Sequence, residues 1–173
     1  MSMILDVKKI EVLAPAGSKE NLLTAIHFKA DAVYLGGKKF GLRAFGSNFD
    51  YEELKEAVEI AHSNGVKLYV TVNILAHNSD LDETLEYLKY LDSIHVDAVI
   101  VSDLGIASLV KAHTNLELHV STQANITNKA SALTWVSLGA KRLVLARELS
   151  ISEIKEIKYA VGEDIDIECF CHG

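Results

Sequence analysis

Segments that read as strands and segments that read as helices alternate along this chain at a spacing of roughly 25 to 30 residues, the signature of repeated βα units. Nearly every strand-like segment also ends in a polar or glycine-rich tag. The series runs Leu13-Ala14-Pro15-Ala16-Gly17, Tyr34-Leu35-Gly36-Gly37, Thr71-Val72-Asn73, Ser102-Asp103, Ser121-Thr122-Gln123-Ala124-Asn125, Arg147-Glu148 and His172-Gly173. A strand needs no such tag to form. In α/β proteins the carboxyl ends of parallel strands carry ligand sites, because the loops leaving them converge on one face. The tags therefore mark the candidate functional face.

The expected strands are Ile10–Ala14, Ala32–Leu35, Val66–Val72, Ala98–Val101, Leu116–Ser121, Arg142–Ala146 and Ile165–Phe170. Between them, Ser18 caps a helix carrying Leu22, Leu23, Ala25 and Ile26. Asp50 starts another, with Leu54, Ala57, Val58 and Ala61 at helical spacing until Asn64-Gly65 stops it. A helix from about Leu81 to Ile94 and a short one through Leu109 and Val110 follow, then one across Ala130, Leu133 and Trp135 closed by Gly139. Ser150 and Glu153 form a capping box for the last.

Two folds fit that order, an open doubly wound sheet and a (β/α) barrel. Side-chain alternation separates them. Val66, Leu68, Val70 and Val72 share one face of their strand, while Lys67, Tyr69, Thr71 and Asn73 share the other. Leu116, Leu118 and Val120 oppose Glu117, His119, Ser121 and Gln123, and Ile165 and Ile167 oppose Asp166, Glu168 and His172. A sheet covered by helices on both sides reads apolar on both faces. One apolar and one polar face suits a TIM-type (β/α) barrel with helices outside and a polar lumen. A full barrel takes about 250 residues, so this α/β chain of 173 is expected to be a single barrel domain truncated after about seven strands. Its open edge would leave unpaired backbone groups, which favours a homo-oligomer or completion by another chain.

Composition narrows the function classes. The chain is 49% hydrophobic, enough for one sizeable core, and no apolar run reaches the ~18 residues of a membrane span. The opening Met1 to Asp6 is too short and too weakly basic for a signal peptide. With a single close-spaced cysteine pair, a cytoplasmic location is the expectation. A net charge of -7 argues against a general nucleic-acid binder, though a local basic patch remains open.

Several constellations could carry chemistry. Cys169-Phe170-Cys171-His172 resembles a metal-ligand run, but alternation puts both cysteines in phase with Ile165 and Ile167, where they would be small buried hydrophobes. No metal site is expected. Glu168 and His172 point the other way, into the lumen. The loop from Gly36 to Gly46 is long for a βα connection. Its Arg43 is a candidate anion clamp, whereas Lys38 and Lys39 read as ordinary surface lysines. Gln123 and Asn125 can read a base edge or a carbonyl, with turn and capping chemistry as the competing explanation. Asn73 ends its strand similarly, and Arg147 either pairs with Glu148 or faces an anionic substrate. His27, His62, His95 and His113 read as solvent-facing, and Tyr69 and His119 as lumen filling. No Gly-x-Ser-x-Gly elbow, His-Glu-x-x-His helix or Walker loop is present.

Six ordered motifs then resemble peptidase family U32, the collagenase-like proteases. They are Leu13-Ala14-Pro15-Ala16-Gly17-Ser18, Asp31 to Gly37, Gly41-Leu42-Arg43-Ala44, Val70-Thr71-Val72-Asn73, Ser121 to Asn125 and Leu145 to Leu149. The resemblance spans essentially the whole chain, and Glu168 to Gly173 resembles the start of the family signature. It implies membership of a family historically described as peptidases, some of whose members hydroxylate RNA or a ubiquinone precursor without oxygen. Those carry an iron–sulfur cluster on four cysteines, and the RNA-modifying ones depend on prephenate. The cluster-binding stretch is lacking here, so no cofactor is expected in this fragment, which would be inactive alone. The leading expectation is the barrel of a protein that hydroxylates a transfer RNA wobble uridine. Tyr34, Arg43, Asn73, Gln123, Asn125, Arg147, Glu168 and His172 would line its mouth. The rivals are a protease acting on peptides and a non-enzymatic barrel that holds a small anion.

Overall fold

The computed structural model describes residues 10–40 and 49–172. Within them seven strands form one wholly parallel sheet in sequential order: β1 (Leu13–Pro15), β2 (Ala32–Gly36), β3 (Lys67–Val72), β4 (Ala98–Val101), β5 (Glu117–Val120), β6 (Arg142–Val144) and β7 (Asp166–Glu168). The connecting helices are α1 (Lys19–His27), α2 (Tyr51–Ser63), α3 (Leu81–Ser93), α4 (Leu104–His113), α5 (Lys129–Ser137) and α6 (Ile151–Val161). Ser18, Asp103 and Asn128 cap α1, α4 and α5 through their side chains. Asp50 with Glu53, and Ser150 with Glu153, form complete capping boxes. Each cap satisfies an amide that the first helical turn leaves without a partner.

Sequential order decides the architecture. Right-handed crossovers between neighbouring parallel strands all fall on the same face of the sheet. The helices therefore gather on one side, and the sheet must curl away from them. One contact measures the curl. Arg142 Nη1, on β6, lies 2.5 Å from Glu11 Oε1, just before β1. In a flat sheet, five steps of ~4.8 Å would hold those strands ~24 Å apart. The molecule is an open (β/α) barrel of seven strands with its helices outside.

The main core lies between strands and helices. Leu68, Val70 and Val72 of β3, Val99 and Val101 of β4 and Leu118 and Val120 of β5 pack there with Leu54, Ala57, Val58 and Ala61 of α2 and Leu88 and Leu91 of α3. The opposite, concave face is less polar than alternation suggests. Ala32, Tyr69, Ala98 and Ile100 form a second buried cluster there, flanked by Leu13 and Tyr34. Polar lumen residues are concentrated on β5 to β7.

Two further expectations are corrected. Strand β7 ends at Glu168, not Phe170, so its alternation does not reach the cysteines; Cys169 and Cys171 are both exposed rather than packed against helices. The segment from Leu104 is a full ten-residue helix, because Asp103 accepts a hydrogen bond from Ile106 N (2.9 Å) at its start.

Candidate functional site

Register across the sheet arranges the inward-facing side chains in rows. Tyr34, Tyr69, Ala98 and Glu117 are successive partners in one row. Thr71, Ile100, His119, Arg142 and Asp166 are partners in the next. Lys67, Glu117, Arg142 and Asp166 each begin their strands, and with Glu11 they make the amino end of the lumen ionic. Arg142 reaches Glu11, Asp166 Oδ2 (3.3 Å) and Glu168 Oε2 (3.6 Å), and its guanidinium lies 5.3 Å from the centre of the Tyr69 ring. Tyr69 Oη donates to Glu11 Oε1 (2.9 Å), and the His119 ring meets Tyr69 edge-on at 4.6 Å. Tyr69 and His119 fill the lumen as expected, each 1% exposed.

The environment sets each group's proton affinity. Burial works to raise the Glu11 carboxyl, but hydrogen bonding and charge from Arg142 outweigh it and hold the group below the ordinary carboxylate range. Burial lowers the His119 imidazole. Its Nε2 lies 3.0 Å from Glu117 Oε1 while Nδ1 is buried without a partner, so an added proton there would find no acceptor. Burial raises Glu168, whose Oε2 has no hydrogen bond among the described residues, against the pull of Arg142. Charge paired at a barrel's amino end serves stability; ligand chemistry belongs to the other rim. Glu168, the last residue of β7, is the inward carboxyl nearest that rim.

At the carboxyl rim the expected residues divide into buried and exposed sets. Asn73 is 8% exposed. Its Nδ2 donates to Ser121 Oγ (3.2 Å), tying the end of β3 to the end of β5, while Oδ1 is buried without a partner among the described residues. Tyr34 is half-buried against the lumen cluster. Gln123, Asn125, Arg147 and His172 are exposed. Asn125 takes a left-handed conformation (φ 58°) that ends the 3₁₀ turn Thr122–Ala124, a role to which asparagine is well suited. Arg147 does not pair with Glu148; its guanidinium lies 4.4 Å above the Phe170 ring. Arg43 falls outside the described residues.

Bystanders behave as expected. Lys38 pairs with Asp50 (3.0 Å) and Glu53 (3.2 Å), and Lys39 with Glu83 (2.6 Å), so neither is a free cation. His27, His62, His95 and His113 are exposed, and His62 Nε2 meets Asp97 Oδ2 at 2.9 Å. Arg142 and Phe170 stand outside the residues that the sequence marks as candidates, and Ser121 is marked only as part of its strand-end tag. Alternation did put Phe170 in phase with Glu168 and His172, and that was the available signal.

A four-thiolate cluster does not fit these residues. The chain has two cysteines, both exposed, and among the described residues no group of three or more His, Cys, Asp or Glu side chains is placed to hold a metal ion. Nor is any described helix long and apolar enough to cross a membrane.

The profile of Peptidase family U32 matches residues 17–173. The chain belongs to peptidase family U32. Among known proteins, it is 47% identical over 167 residues to tRNA hydroxylation protein P1 of Bacillus subtilis (strain 168), covering 96% of this chain and 39% of that protein. It is 43% identical over 166 residues to tRNA hydroxylation protein P of Haemophilus influenzae, covering 95% of this chain and 36% of the relative. The chain thus spans less than two-fifths of these relatives' length. Among solved structures, the U32 peptidase Mk0906 superposes with a TM-score of 0.79 at 18% identity, covering 93% of this chain and 68% of that one. At that identity the likeness concerns the fold. U32 membership and the curled parallel sheet agree.

Proposed function

We propose that this U32 barrel belongs to a protein that hydroxylates transfer RNA, acting on a wobble uridine in the cytoplasm without molecular oxygen. The observation that carries the reading is the identity, over nearly all of this chain, with two curated relatives named tRNA hydroxylation proteins. The rim chemistry supports it. Exposed Gln123 offers an amide that can both donate to and accept from a base edge. Arg147 offers an exposed cation beside it in the series of strand ends. Glu168, raised by burial, is the lumen carboxyl suited to holding a proton. In the whole protein an iron–sulfur cluster would supply electron transfer and prephenate would be required; the cluster's thiolates would have to come from outside this chain.

Mass spectrometry of transfer RNA nucleosides from a strain lacking the gene tests the proposal. Loss of 5-hydroxyuridine derivatives, restored by the gene, is expected; unchanged levels overturn it. The family's description as peptidases favours a second reading, cleavage of peptides. Among the described residues, however, no Ser, Thr or Cys side chain hydrogen-bonds a histidine, the pairing an activated nucleophile needs. Cleavage of gelatin by the purified whole protein, abolished by substitution of one lumen residue, would establish that reading instead.

A further inference from the structure

The stack of Arg147 on Phe170 has no evident structural task. The pair lies past the carboxyl ends of β6 and β7, and both residues are exposed. Phe170 keeps 43% of its surface in water although it could have been a polar residue there. Among the described residues Arg147 makes no ion pair, whereas Lys38, Lys39 and Arg142 at or inside the barrel are all neutralised by carboxylates. A planar cation 4.4 Å above a ring is held in place by the ring's quadrupole. The guanidinium over the ring gives an exposed aromatic step with one positive charge.

We propose that this step is a stacking platform for an unpaired base of single-stranded RNA, with the base on the exposed part of Phe170 or on the outer plane of Arg147 and the guanidinium edge turned to the adjoining phosphate. The inference rests on the RNA reading above and specifies which residues hold the nucleotide. Three physical arguments favour it. Sequence-specific RNA binding works on splayed bases that stack on aromatic rings or arginine planes. A chain of net charge -7 repels phosphate generally, so a rim cation that makes no ion pair among the described residues gives local direction. Finally, the stack sits at the strand ends where ligands of parallel barrels bind.

The test uses the whole protein and a labelled transfer RNA anticodon stem-loop, with affinity measured over a range of salt concentrations. Phe170→Leu should weaken binding by about 5- to 150-fold, the span of base-on-aromatic stacking, and leave the salt dependence unchanged. Phe170→Trp should bind as well as the parent or better. Arg147→Gln should weaken binding and lower the salt slope by about one, the signature of a lost phosphate contact. Arg147→Lys should keep the slope and lose affinity. Unchanged affinity in Phe170→Leu, or a loss that Phe170→Trp does not restore, overturns the platform. So does a deficit for peptide substrate in place of RNA. Failure here with hydroxylation still lost in the gene-deleted strain refutes the platform alone; retained hydroxylation in that strain refutes the underlying reading.

Discussion

Tyr87 occupies the space that a Cβ on Gly37 would need. The added carbon would collide with the hydroxyl and approach Cζ to 3.1 Å. Tyr87 has no room to withdraw, being 3% exposed, stacked on Phe40 at 4.6 Å and met edge-on by Tyr51 at 5.9 Å. Its buried hydroxyl has no hydrogen-bond partner among the described residues. This packing links α3 to the loop that leaves β2.

Gly37→Ala should therefore destabilise the protein by about 1–3 kcal/mol, the usual cost of overpacking. Tyr87→Phe removes both the obstacle and an unsatisfied polar atom, so alone it should be neutral or mildly stabilising. Combined with Gly37→Ala it should recover most of the loss. Urea unfolding of the four-member cycle measures the coupling, and additivity would refute the contact.

Arg142 closes the lumen through Glu11, Asp166 and Glu168. Arg142→Met leaves those carboxylates with only the half-exposed Lys67 ammonium, 3.5 Å from Glu11 Oε2, to offset their mutual repulsion, and should cost about 3 kcal/mol. Arg142→Lys should cost less, because it keeps the charge but cannot fork between several oxygens. A loss below about 1 kcal/mol would mean that the cluster merely offsets its own desolvation.

His119 makes stability depend on pH. Its imidazole is lowered in the folded state by burial, so between the folded value and the unfolded value near 6.5 the unfolded chain binds more protons. The His119 contribution is thus complete above about pH 6.5 and is lost as pH falls through that window. Glu11 and Glu117, both lowered, act the same way but only below the ordinary carboxylate range near 4.3. Glu168, raised by burial, works in the opposite direction as it takes up its proton. Melting temperatures between about pH 7.5 and pH 5.5 should fall more for the parent than for His119→Gln. Equal slopes would show that this imidazole does not control the window.

Buried and exposed rim residues should separate stability from function. Asn73→Ala breaks the tie to Ser121 and should cost about 1–2 kcal/mol. Gln123→Ala, at an exposed position, should alter stability by no more than about 0.5 kcal/mol. Any loss of transfer RNA hydroxylation in the Gln123 variant would then be a loss of contact, read directly by nucleoside analysis of complemented cells.

Local signals alone determine the order of elements and the helix starts, because alternation and capping need no distant partner. Ser18, Asp50 and Ser150 act as caps where their spacing indicates, and Leu68, Val70 and Val72 face the helices as their period of two requires. Alternation names a face but never a partner. Only the curled sheet brings Glu11 to Arg142 across 131 residues and turns the inner side of β3 and β4 into an apolar cluster. It also ends β7 at Glu168, where pairing to β6 stops, which exposes the two cysteines and frees Phe170 to stack on Arg147. Pairing across strands is a property of the curled sheet, so the chain's linear pattern could not contain it.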